Sequence, residues 1–154
     1  MIQRIQTVYL LIVTFLSIIV LFSPVSAIVT SANVFDLSYK GFVSTPHIDA
    51  IQVKIWPLNL VAAIIPLTAF GSIFLYKKRK LQIRINIMNF LLMDIYYIIM
   101  LVFMWFAEAR IATVSQWIYH FAAALPAVNM VLTFLAIRGI QKDEKLVRSL
   151  DRLR

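Results

Sequence analysis

Asp94 and Asn129 are the residues whose side chains could do chemistry inside a membrane, because each lies within a long apolar stretch. Asp94 follows Arg84 by ten residues and Asn129 precedes Arg138 by nine, so in helices they lie about 15 Å and about 13.5 Å deep. A carboxylate at the bilayer midplane costs roughly 2.5–3.5 kcal/mol, so Asp94 is predicted not to face lipid. We predict a hydrogen bond between Asp94 and Asn129, which serves either helix packing or a proton- or cation-linked site.

Two similar segments, Val61–Pro66 and Phe121–Pro126, each end in a proline. We expect Pro66 and Pro126 to kink their helices, because a proline leaves one carbonyl without its helical donor. The alanines of each segment allow close helix contact. The similarity fits a tandem hairpin duplication or convergent packing chemistry, and paired kinked helices keep a transport role open.

The titratable residues other than Asp94 form no recognisable catalytic or metal motif. The candidates for a metal site are His47, His120, Asp36, Asp49 and Glu108. Neither HxxxH nor HExxH spacing is present, and the chain has no cysteine, so thiol chemistry and thiolate metal sites are excluded. We therefore predict no catalytic residue, no metal, no cofactor and no enzyme activity. A membrane enzyme acting on lipid, with Asp94 or His120 as the base, is the remaining catalytic alternative.

The composition identifies hydrocarbon as the solvent for most of the chain. Of its 154 residues, 62% are hydrophobic and 14% are charged, whereas soluble domains average roughly 45–50% and about 25%. We predict one all-α integral membrane domain over 1–154, a four-transmembrane-helix bundle with one short amphipathic C-terminal helix. The predicted spans are 8–29, 55–76, 85–107 and 117–137; the outer loop is 30–54, the basic loop 77–84 and the tail 138–154. A cleaved signal peptide ending near Ala27 is an alternative for the first span.

The basic loop sets the predicted topology. It contains Lys77, Lys78, Arg79, Lys80 and Arg84 and no acidic residue. If this loop and both termini lie in the cytoplasm, twelve of the 15 Lys and Arg residues are on that side, as the positive-inside rule requires. The net charge of +8 is therefore assigned to a membrane face, and no nucleic acid is expected. A basic loop of this kind is typical of the cytoplasmic side of inner-membrane proteins.

The tail carries two different faces if it is helical. Leu146, Val147, Leu150 and Leu153 recur at helical spacing, and Lys145, Arg148 and Arg152 lie opposite them. Such a helix either lies on an anionic leaflet or docks a partner through its leucines.

The head Met1–Thr7 and the tail Asp143–Arg154 resemble domain-of-unknown-function family 4293, small four-span inner-membrane proteins of Bacteroidota. The resemblance implies location and architecture; it supplies no catalytic motif, substrate or cofactor. The sequence favours a non-enzymatic accessory or structural subunit of a larger membrane complex, with the bilayer and membrane protein partners contacting its spans and tail. The alternative is a transporter or channel subunit that uses the Asp94 and Asn129 pair.

Overall fold

The described part of the backbone forms four long helices and one small sheet. The computed structural model describes residues 3–30, 34–38, 41–45, 55–76, 78–110 and 114–151, with side chains over 5–30, 34–38, 41, 55–76, 78–109 and 116–147. The elements are α1 (Gln3–Phe22), β1 (Ser26–Thr30), β2 (Val34–Ser38), β3 (Gly41–Thr45), α2 (Trp56–Ile73), α3 (Arg79–Arg110), β4 (Val114–Tyr119), a 3₁₀ helix (Phe121–Ala124) and α4 (Leu125–Asp151).

The four helices are long and apolar enough to cross a membrane within the part of the chain described. α1 contains no charged residue after Arg4, α2 contains none, and α2 begins with Pro57 in its first turn, where the missing N–H costs nothing. Helix α1 packs against α2 and α4, and α3 packs against the same two helices. The helices therefore surround a shared core.

The outside of the bundle is apolar and part of its inside is polar. Large hydrophobic side chains such as Phe15 and Leu67 are 65% and 70% exposed, whereas Asn86 and Asn89 are fully buried. A water-soluble bundle shows the opposite arrangement. The distribution therefore matches a bundle whose outer surface contacts hydrocarbon.

The sheet closes one end of the bundle, which we call the sheet end. Its strand order is β3-β2-β1-β4, and every neighbouring pair is antiparallel. Ser26 of β1 lies opposite Leu37 of β2 and Tyr119 of β4. Gly41, which pairs with Ser38 where β3 begins, has a φ of 113°, in the region that favours glycine.

The first and last residues of α1 and α4 differ from those predicted for the first and fourth spans. α1 ends at Phe22, because Pro24 disfavours helical backbone at Ser23, and β1 takes the residues predicted to complete the first span. β4 likewise takes the first residues of the predicted fourth span. The predicted outer loop 30–54 contributes β2 and β3 to the sheet, so the fold is not all-α.

The basic loop and the tail also differ from their predicted forms. α3 begins at Arg79, so Arg79, Lys80 and Arg84 lie in its first turns rather than in a loop. α4 continues without a break from Leu125 to Asp151, so the tail is the end of this helix and not a separate one. The end of the bundle formed by the start of α1, the start of α3 and the end of α4 is called the basic end.

Candidate functional site

Asp94 lies on the outward side of α3. Met93 and Tyr96, within two residues of Asp94, are buried in the core. Leu91 and Ile98 lie one helical turn from Asp94 on either side and are 49% and 60% exposed. Asp94 itself is half-buried. It makes no hydrogen bond or ion pair with the other described residues. We call the outward surface formed by Ile87, Leu91, Asp94, Ile98 and Leu101 the Asp94 face.

Asn129 points into the bundle instead. It is 1% exposed, and its Nδ2 donates to the Ser17 Oγ at 3.0 Å, while Ser17 donates to the carbonyl of Val13 at 2.7 Å. The predicted hydrogen bond between Asp94 and Asn129 is not among those of the described residues. Matching depths along two helices do not determine which face each side chain takes, because each residue step rotates the direction by about 100°.

Other buried polar side chains continue inside the bundle toward the basic end. The Thr68 hydroxyl lies 3.0 Å from the Asn89 Oδ1, which joins α2 to α3. Both side-chain polar atoms of Asn86, together with the Asn89 Nδ2 and the Thr133 Oγ1, have no hydrogen-bond partner among the described residues. A small cavity of about 10 Å³ beside Asn129 is near the lower limit for one water. The interior therefore retains hydrogen-bonding capacity.

A buried contact joins three helices at the basic end. The Gln6 Nε2 of α1 donates to the Asp143 Oδ2 of α4 at 2.7 Å, and the Arg79 Nη1 of α3 donates to the Asp143 carbonyl at 3.0 Å. Neither Gln6 nor Asp143 was singled out from the sequence for such a contact. No local pattern marks the contact, because the two residues are 137 positions apart.

A cavity of about 470 Å³ adjoins this contact, between the start of α1 and the connection from α2 to α3. Polar and apolar side chains share its wall: Gln6, Thr7, Ile73, Phe74, Tyr76, Arg79 and Gln82. Of the topology residues predicted from sequence, Lys78, Lys80 and Arg84 are exposed near this end. Lys77 lies outside the described residues.

The sheet end holds an ion pair between two described residues. The His120 Nε2 lies 3.2 Å from the Asp36 Oδ1, and each side chain is about one-third exposed. No group of three potential metal ligands occurs among the described residues. His47 and Asp49 lie outside the described residues, so the structure says nothing of their position.

The two predicted proline kinks have different surroundings. Pro66 lies inside α2, where it removes one helical hydrogen bond. Pro126 is the second residue of α4, in the first turn, where a proline interrupts nothing. Beside it, the Tyr97 hydroxyl accepts from the Ala127 N–H at 3.0 Å and donates to the Ala123 carbonyl at 2.7 Å. This tyrosine, which sequence reasoning did not select, completes the start of α4.

Four of the predicted docking residues of the tail lie in the last turns of α4. Lys145 and Leu146 are exposed on the helix. Arg148 and Leu150 lie in the helix, but their side chains are outside the described set, as are Arg152 and Leu153 entirely.

Comparisons with known proteins give the chain a family. No curated protein matches it, and no solved structure matches it. The family model described as "Domain of unknown function (DUF4293)" matches residues 2–153. This match covers nearly the whole chain, including all four apolar helices and the sheet, and confirms the resemblance carried by the head and the tail. The protein therefore belongs to the DUF4293 family, and its described residues include four helices of the kind that span membranes.

Proposed function

We propose that this protein is a non-enzymatic accessory or structural subunit of a larger membrane complex, and that its partner packs against the Asp94 face. The observation that carries the proposal is a half-buried carboxyl group on the outside of the bundle, far from either end of a span. Ionisable residues at such depth normally face a partner or a water-filled path.

The surroundings of Asp94 explain why a partner is needed. Its neighbours on the Asp94 face are exposed aliphatic side chains, and no described residue donates a hydrogen bond to it. A carboxylate exposed to hydrocarbon costs roughly 2.5–3.5 kcal/mol at the helix centre. A hydrogen-bond donor on a helix of the partner lowers that cost, and the aliphatic neighbours add van der Waals packing. The partner therefore presents a polar or basic side chain within an otherwise apolar helix.

The distribution of basic residues supports the orientation proposed with this function. Lys78, Arg79, Lys80 and Arg84 lie at the basic end together with the end of α4, and the positive-inside rule assigns such a surface to the cytoplasm. We place the protein in the bacterial inner membrane with both termini in the cytoplasm. Lys145 and Leu146 at the end of α4 then offer a second contact, to the leaflet or to the partner.

Site-specific photo-crosslinking in intact cells tests the proposal. A photoreactive phenylalanine at Leu91 or at Ile98 is expected to form a protein adduct, because both side chains lie on the Asp94 face. The matched control is Phe15, an apolar residue on α1 that is 65% exposed. Asp94→Leu is expected to abolish the adducts at Leu91 and Ile98 while leaving the protein level unchanged.

The outcomes are separable. Adducts at the two α3 positions that are lost in Asp94→Leu support a partner at this face, and mass spectrometry of the adduct identifies it. Equal labelling at Phe15, or adducts that survive Asp94→Leu, contradict the proposal. So does recovery of the full chain from mild detergent as a lone, fully stable monomer.

A channel or transporter subunit is a second candidate, favoured by the polar atoms of Asn86, Asn89 and Thr133 inside the bundle. In this case Asn86→Leu is expected to reduce solute or proton flux into proteoliposomes, whereas Asp94→Leu is expected to have no effect. Unchanged flux in Asn86→Leu would exclude a transport path through the interior of the bundle.

A further inference from the structure

The basic-end cavity has the size and wall of a ligand site. Its volume of about 470 Å³ falls within the range of roughly 300–1,000 Å³ typical of small-molecule pockets. The start of α3 contributes Arg79 and Gln82 to its wall, and the end of α2 contributes Ile73 and the adjoining Phe74. We propose that this cavity binds the phosphate headgroup of an anionic phospholipid whose acyl chains extend along α2.

Arg79 supplies the charge for phosphate. Arg79 is half-buried as a residue, and its guanidinium is held by the hydrogen bond from Nη1 to the Asp143 carbonyl. That bond uses one of the five N–H groups of a guanidinium, and no carboxylate among the described residues forms an ion pair with the side chain. A fixed, unpaired guanidinium beside a cavity is suited to bidentate phosphate binding.

Gln82 adds a neutral donor on the same side. It lies three residues after Arg79 on α3, so the two side chains are neighbours on the helix surface. Gln82 is 6% exposed, and its backbone N–H donates to the Lys78 carbonyl. Its side-chain amide makes no hydrogen bond with the other described residues, yet the residue lines the cavity. Its amide therefore remains available to a phosphate oxygen.

The apolar side of the cavity distinguishes a lipid from free phosphate. Phe74 is 68% exposed and stacks edge-to-face on Phe70, with ring centroids 5.2 Å apart. Leu67 continues this exposed row one turn further along α2. The row runs from the cavity toward the middle of the span, which gives an acyl chain an apolar surface that free phosphate does not use.

Lipid retention by the purified full-length chain tests the site. The protein is exchanged into mild detergent containing equal amounts of dioleoyl phosphatidylglycerol and dioleoyl phosphatidylcholine, and bound lipid is counted by native mass spectrometry. We expect selective retention of phosphatidylglycerol, weakened about tenfold, or about 1.4 kcal/mol, by Arg79→Gln. The matched control is Arg84→Gln, which removes the same charge from an exposed position on the same helix and is expected to retain the lipid.

Further variants keep the test decisive if Arg79→Gln fails to fold. Gln82→Leu is expected to weaken retention without altering charge, and Phe74→Ala is expected to weaken it without altering the phosphate contacts. Equal loss in Arg84→Gln and Arg79→Gln overturns the site, because it shows general attraction to a basic surface. Displacement of the lipid by millimolar inorganic phosphate, or retention of both lipids alike, overturns the assignment to an anionic phospholipid.

Discussion

Replacing Gln6 by leucine is expected to lower the free energy of unfolding by about 3 kcal/mol. The Gln6 Nε2 donates to the Asp143 Oδ2 at 2.7 Å, and Asp143 is 7% exposed. A hydrogen bond to a charged group contributes about 1.5–3 kcal/mol, and its removal adds the desolvation penalty of a buried carboxylate that has lost its donor. Arg79 does not compensate, because its hydrogen bond goes to the Asp143 carbonyl.

A double-mutant cycle isolates this contact. The free energies of unfolding of wild type, Gln6→Leu, Asp143→Leu and the double variant are measured by circular dichroism in mixed micelles of mild detergent and sodium dodecyl sulfate. We expect a coupling energy of about 2 kcal/mol, because the double variant leaves neither polar group unpaired. Gln141→Leu, an exposed change on α4, is the control and is expected to stay within about 0.5 kcal/mol of wild type. A coupling energy below about 0.5 kcal/mol would refute the reasoning.

Three further changes test other contacts by the same unfolding measurement. Gly139→Ala is expected to destabilise by about 1–2 kcal/mol, because its added Cβ lies 3.0 Å from a side-chain carbon of α1, whereas Gly71→Ala meets no atom within 4 Å and is expected to cause no loss. Ser17→Ala removes the acceptor of the Asn129 amide and is expected to cost about 0.6–1.7 kcal/mol; no loss would mean that this amide is satisfied elsewhere. Tyr97→Phe removes the hydroxyl that hydrogen-bonds to two backbone groups at the start of α4 and is expected to lower the free energy of unfolding by about 1–2 kcal/mol. A variant as stable as wild type would contradict this prediction.

The four apolar helices could be predicted from hydropathy, because the preference of a long segment for hydrocarbon over water is the sum of contributions from many residues. The uncharged runs in α1 and α2 needed no tertiary information to be recognised. The sheet was harder, since Ser26–Thr30 is apolar enough to pass for the end of a span. The break at Pro24, the pairing with β2 and the pairing with β4, more than 80 residues later, make it a strand.

The candidate site was predicted less completely because it depends on which face of its helix each side chain occupies. Asp94 was recognised as unusual from its neighbours in sequence, but its outward direction follows from how α3 packs. Asn129 was matched to it by depth, while the structure pairs Asn129 with Ser17 of α1. Gln6 and Gln82 carried no signal, because an uncharged amide near the end of a span is ordinary.

The central position of β1 has a consequence for biosynthesis. β1 pairs with β2, which follows it closely, and with β4, which is made only after α2 and α3. Until Val114–Tyr119 leaves the ribosome, one side of β1 is an unpaired edge that can recruit a strand from another chain. Slow synthesis between α2 and β4 therefore lengthens the interval in which nascent chains can aggregate.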